Sequence, residues 1–146
     1  MKIVITNVGW EDTGKMLRDI ATPLEQSLNL FFDGQSHGYP LVFILVIVAF
    51  YSDSNENEKH ADGYNKSGTR KDPVTNERLR HVSIGIPVDR EALLAQGKEA
   101  NRIAICDALL ARLAQPIARM PKDFDYAKFV SDLQIRLEIL KKADYA

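Results

Sequence analysis

The chain has 146 residues, of which 45% are apolar and 27% charged, with a formal net charge of −1. One domain spanning residues 1–146, with a core of its own, is what that length and composition predict. The near-neutral balance provides no basic field for direct nucleic-acid binding, and the single cysteine, Cys106, excludes an internal disulfide and fits a reducing compartment.

Residues 2–8 predict a first strand, with Ile3 and Ile5 on one face and Val4 and Val8 on the other. This segment lacks the long apolar core and cleavage site of a secretory signal, and Glu11 and Asp12 follow closely, so a cytoplasmic protein is expected. A helical region comes next, with Met16, Leu17 and Ile20 at helical spacing. Thr22-Pro23-Leu24-Glu25 reads as a helix start, with Thr as cap, Pro at the first position and Glu closing a capping box. Leu24, Leu28 and Phe31 then share one face, and Gly34 is a natural terminator. One kinked helix and two short helices both satisfy this pattern.

Eleven apolar residues run without a break over 41–51. A membrane-spanning helix needs about 20, and Val42, Ile44, Val46, Ile47 and Val48 are β-branched, which favours a strand. No membrane association is expected. A strand apolar on both faces is central and needs cover on both. The C-terminal helices are expected on one face; the N-terminal helix, a dimer mate or another protein would cover the other.

Residues 53–78 read as a long charged loop. Only Ala61, Tyr64 and Val74 are apolar against eleven charged residues, and Gly63, Gly68 and Pro73 interrupt any regular element. The charges are segregated: Asp53, Glu56, Glu58 and Asp62 outnumber Lys59 in the first part, and Lys66, Arg70 and Lys71 follow with no acid among them. Asp53-Ser54-Asn55-Glu56-Asn57 imitates the start of a calcium loop. The imitation fails at Glu58, where the turn needs Gly, and at Tyr64, where a bidentate Glu belongs.

A second clear strand covers 80–87, with Val82, Ile84, Ile86 and Val88 alternating with His81, Ser83, Gly85 and Pro87. Asp89 can cap a helix beginning Arg90-Glu91-Ala92, which Gly97 interrupts. Ile103, Cys106, Leu110, Leu113 and Ile117 form the next helical stripe, closed by Pro116 and Pro121. The last helix should start near Asp123 or Asp125 and carry Phe129, Val130, Leu133, Leu137 and Leu140 on its apolar face. The expected fold is α+β. Its small, largely antiparallel sheet has a central strand at about 41–51 and a paired strand at about 80–87, packed by an N-terminal helical region and two C-terminal helices.

Chemistry is sparse. His37, His60 and His81 have no metal-type spacing with one another or with Cys106, which lies in an apolar stripe as a structural thiol would. No phosphate, dinucleotide or nucleophile motif is present, and Ser67-Gly68-Thr69-Arg70-Lys71 carries a single glycine. No catalytic residue, metal ligand or cofactor is predicted, and the chain does not read as an enzyme.

The helical stretch "IATPLEQSLNLFFDG", the strand "YPLVFILVIVAFYS", the polar loop with basic residues and Asn, and "LRHVSIGIPVDREALL" before two closing helices make a familiar order. In that order the sequence resembles small bacterial immunity proteins of contact-dependent growth inhibition and related polymorphic toxin systems. The resemblance implies a non-enzymatic cytoplasmic inhibitor whose partner is the C-terminal domain of a cognate toxin, bound so as to occlude its active site. Many such toxins are nucleases, with basic phosphate-binding sites. On its own chemistry "SDSNENEKHAD" suits such a target, and Asp53, Glu56, Glu58 and Asp62, with Tyr64 as an aromatic anchor, are the candidate toxin-binding residues. The alternative is a homodimeric structural or adaptor module, suggested by the two-faced strand.

Overall fold

The structure is a computed structural model describing residues 1–9, 11–34, 41–50, 59–71, 73–76, 78–117 and 120–142. In chain order the elements are β1 (Lys2–Gly9), α1 (Glu11–Phe32), β2 (Leu41–Phe50), β3 (Lys66–Lys71), β4 (Arg78–Asp89), α2 (Arg90–Ala95), α3 (Lys98–Leu113) and α4 (Tyr126–Lys142). A helical turn at 59–62 precedes β3.

The strands form one sheet in the order β1-β2-β4-β3. β2 runs parallel to both β1 and β4, and β3 pairs antiparallel with β4. The fold is α+β, but the sheet is mixed and mostly parallel, a correction to the largely antiparallel arrangement expected. The reason is connection length. The α1 crossover returns the chain before β2, so β1 and β2 point the same way. The segment containing the 59–62 turn and β3 likewise returns it before β4. Within the stretch read as loop, β3 exists by pairing with β4, from Lys66↔Ser83 to Lys71↔Arg78.

α1 is one helix with Pro23 inside it, which resolves the open choice at the N-terminus. Gly34 follows at φ 75°, a left-handed position that glycine adopts without steric penalty. Asp89 caps α2 as its position suggests, its Oδ1 accepting from the N–H groups of Glu91 at 3.0 Å and Ala92 at 3.3 Å. Asp125 Oδ1 similarly accepts from Lys128 N at 3.1 Å where α4 begins.

β2 supplies the centre of the core. Phe43, Leu45 and Ile47 face the helices with Ile3 and Ile5 of β1 and Val82, Ile84 and Ile86 of β4. Leu17, Leu24 and Leu28 of α1, Ile105 and Leu109 of α3, and Phe129, Leu133 and Leu137 of α4 cover that same face. Phe43 stacks on Phe129 with centroids 4.4 Å apart, and Phe124 closes the cluster 5.5 Å from Phe43. Each fully buried side chain of this size contributes roughly 1.5–3 kcal/mol. Of the expected α3 stripe Cys106 and Leu113 are buried and Leu110 and Ile117 pack against the core, but the buried face also takes in Ile105 and Leu109, and Ile103 is only half-buried.

α1 therefore lies beside the C-terminal helices and leaves the sheet's second face to other cover. Over Val46 and Val48 that cover comes from the chain itself, through Ala61 and Tyr64 of the segment following β2. The approach is close enough to specify a residue. A Cβ at Gly85 would lie 1.9 Å from the carbonyl oxygen of Ala61. Beside this contact, Gly85 N–H donates to Asn65 Oδ1 at 2.9 Å, continuing the β4 ladder where β3 has ended.

Gly85→Ala should therefore lower the free energy of unfolding by about 2 kcal/mol and speed hydrogen exchange at the amide of position 85. Gly14→Ala, where a Cβ meets no heavy atom within 4 Å, should raise stability by about 0.5 kcal/mol. Urea titration and exchange mass spectrometry check both.

Candidate interaction surface

The uncovered half of the second sheet face starts from three half-buried β-branched residues, Val4, Val42 and Ile44, brought side by side by the parallel register. Exposed cations flank them: Lys2 on β1, and Lys66 and Arg70 on β3. His81 lies between, across Gly68, where a Cβ would come 3.3 Å from the imidazole Cε1. Lys71 and Arg78, also exposed, extend the positive charge along the β3–β4 hairpin. Arg80 pairs with Asp123 at 2.6 Å in a solvent-exposed contact. In the connection between these strands Asn76 adopts φ 63°, the left-handed region in which Asn is the best-tolerated residue after glycine.

A cleft of about 380 Å³ opens beside the start of β3, lined among others by Asn65, Lys66, Ser83 and Arg112. A second, of about 330 Å³, adjoins it through Arg112 and is lined by Ala61, Asp62, Gly85 and Pro87. Arg112 Nη1 is buried and meets no hydrogen-bond acceptor among the described residues. The first cleft sets the cations Lys66 and Arg112 beside apolar Val82, Pro116 and Ile117, and in the second Arg112 is balanced by Asp62.

The sheet edges are treated unequally. On β1, Ile3 N–H donates to Asn29 Oδ1 at 2.9 Å, Ile3 carbonyl accepts from Asn29 Nδ2 at 2.8 Å, and Ile5 N–H donates to Glu25 Oε2 at 2.8 Å. Side chains of α1 thus close that edge. The part of β4 that runs past β3 is closed by Asn65 at Gly85 and by Pro87, which has no N–H. β3 itself lies at the end of the sheet with five of its six residues exposed.

Of the residues chosen from sequence, Asp62 and Tyr64 share one turn. Asp62 is exposed and its Oδ1 accepts from Asn65 Nδ2 at 3.4 Å. Tyr64 is half-buried against the Val46–Val48–Ala61 cluster, so its ring fastens the turn to the sheet. Asp53, Glu56 and Glu58 lie outside the described residues, as does His37. The basic run at 66–71 was visible in the sequence, but its place on an edge strand was not, since β3 shows no alternation. Arg112 carried no local signal at all.

Covalent chemistry finds little support in the described residues. Cys106 is fully buried, and burial pushes its thiol up to about 11. Tyr126, whose hydroxyl donates to the Leu113 carbonyl at 3.3 Å, is pushed up to about 12 by burial, against a lowering by Arg112. Lys141 is raised by its hydrogen bond to Asp107, 2.6 Å away. No group of three His, Cys, Asp or Glu residues able to hold a metal occurs among the described residues. No helix there is long and apolar enough to cross a membrane.

The described residues thus give an α+β fold with unequal sheet edges and charged surfaces. The chain belongs to the Immunity protein 44 family, whose model matches residues 1–139, and so to the immunity proteins of bacterial toxin systems. No curated protein and no solved structure matches it.

The thiol environment has a consequence for stability. Cys106 stays protonated in the fold to about 11, but ionises near 9.0 once unfolded. The unfolded state then binds fewer protons, so stability must fall as pH rises between those values, by about 2 kcal/mol at most. Urea midpoints measured from pH 8 to 11 should show this decline; Cys106→Ala should remove the part below pH 10, while the part above it persists because Tyr126 is likewise raised, from 10.0 to about 12.

Proposed function

We propose that this chain binds the toxic domain of a cognate toxin and neutralises it by covering its active site, in the cytoplasm of the cell that makes it. The observation that carries the reading is the family match over residues 1–139. Immunity proteins act by stoichiometric binding, and affinity in such a complex rests on surface complementarity.

The contact we assign to the toxin is the acidic segment that follows β2, with Asp53, Glu56, Glu58 and Asp62 as its charges. Tyr64 supports it from the sheet side. Two features favour this choice. Its acids are concentrated in ten residues, from Asp53 to Asp62. Asp62 is also exposed on a turn whose Ala61 and Tyr64 pack directly on Val46 and Val48. A field of that sign fits a toxin whose own site is basic, as a nuclease site is because it binds phosphate.

Co-expression with the toxin domain encoded immediately upstream should protect cells from growth arrest and yield a one-to-one complex. Glu56→Lys, Glu58→Lys and Asp62→Lys together should slow association about tenfold at low salt, with the difference shrinking as salt is raised. Stopped-flow binding measures this. Failure of the wild-type chain to bind that domain or to protect cells would overturn the reading, and an unchanged rate in the triple variant would remove the acidic segment from the interface.

A further inference from the structure

We propose that β3 is a docking edge at which an extended, acidic segment of the toxin adds to the sheet as a fifth strand. This rests on the immunity reading and adds to it a second surface, distinct from the acidic segment at 53–62.

The direction of the backbone groups comes first. Gly85 N–H points to the β3 side of β4, since it reaches Asn65 Oδ1. Backbone groups alternate along a strand with period two, so those of Ser83, His81 and Leu79 point the same way. Their partners across the ladder are Lys66, Gly68 and Arg70. Those three residues turn their N–H and C=O groups towards β4. Ser67, Thr69 and Lys71 consequently turn theirs outward, and no described strand lies beyond them.

The contrast with the other edges gives this weight. Asn29 and Glu25 occupy the β1 edge, and Asn65 with Pro87 occupies the free part of β4. β1 is covered in its first half, at Ile3 and Ile5, whereas side-chain cover is recorded nowhere along β3 among the described residues.

Charge then selects the occupant. Lys66, Arg70 and Lys71 make three cations in a six-residue strand, and all are exposed. A second copy of β3 at this edge would bring three more cations against these three, an unfavourable concentration of like charge. An acidic strand reverses that sign at each position. The cleft lined by Lys66 and Arg112, whose Nη1 meets no acceptor among the described residues, continues the cationic surface beyond the strand's start. Main-chain hydrogen bonds would supply affinity and the flanking charges specificity. Lysine on an edge strand also guards against aggregation, but a guard needs no partner, and that difference can be measured.

Hydrogen exchange of the full chain, alone and with the toxin domain encoded immediately upstream, tests the proposal. The amides of Ser67, Thr69 and Lys71 should slow about 100-fold in the complex, while those of Lys66, Gly68 and Arg70, already paired, change little. Thr69→Pro removes one outward donor and leaves the β3–β4 bonds in place, and should weaken binding about tenfold. Should Thr69→Pro unfold the hairpin, the wild-type exchange pattern decides alone. Lys66→Glu with Arg70→Glu and Lys71→Glu should weaken binding further without unfolding. A complex that forms while Ser67, Thr69 and Lys71 exchange as in the free chain would overturn the docking edge and leave the immunity reading standing. Absence of any wild-type complex would overturn both.

Discussion

The constraint on which the structure depends is that β2 is apolar on both faces and must lose water on both. Phe43, Leu45 and Ile47 point to the helices, and Val46 and Val48 point away from them, all at 4% exposure or less. Helices α1, α3 and α4 meet the first requirement together, which is why α1 does not sit on the opposite face. The second is met by Ala61 and Tyr64, in a segment whose composition is otherwise polar. Two small features make that possible. Gly85 leaves room for the Ala61 carbonyl, and Asn65 takes the Gly85 N–H that this arrangement would otherwise leave unpaired. Burying a backbone donor without a partner costs on the order of 1–3 kcal/mol, so the asparagine is part of the packing and not an ornament to it.

Central placement of β2 also dictates where the sheet can end. With β1 and β4 on either side of it, both running parallel, the outer margins fall on β1 and on the β4–β3 hairpin. β1 lies directly beneath α1, and side chains of that helix reach its backbone. The hairpin extends beyond helical cover, with 66–71 almost wholly exposed. Exposure there follows from the absence of helical cover along most of 66–71; the cationic charge is the sequence's own. The segment before it is acidic in sequence, so charge changes sign along the chain within about 20 residues.

Elements that bury an apolar face were legible in the sequence, and those that do not were not. β2 declared itself by eleven apolar residues, and β4 by the alternation of Val82, Ile84, Ile86 and Val88. Asp89 marked the next helix because a carboxylate before the first turn has a specific hydrogen-bonding task. β3 has neither face buried, so pairing with β4 creates it and local pattern cannot show it. Strand direction was equally hidden, because side-chain alternation is the same in parallel and antiparallel ladders. In α3 the apolar arc is broad enough that Ile103 and Leu110 competed with Ile105 and Leu109. Packing against α1 and α4 chose the latter pair, and placed buried Asn101 beside them with its amide on the Leu93 carbonyl at 2.9 Å. Gly85 was the missed clue: a glycine inside a regular strand often marks a close backbone approach.

For an inhibitor that must match one toxin, the division between these two kinds of residue matters. Lys66, Thr69, Arg70, Lys71 and Asp62 are exposed and bury no apolar area, so exchanging them should alter stability by only a few tenths of a kcal/mol. These positions can therefore change while the core stays fixed. Tyr64, Asn65 and Gly85 lie between the two regimes. They join the segment carrying Asp62 to the underside of β2, and any change there moves surface and core together. A rigid base under a substitutable surface lets specificity drift without loss of the fold. In this chain that base is the contact between the 59–64 turn and β4.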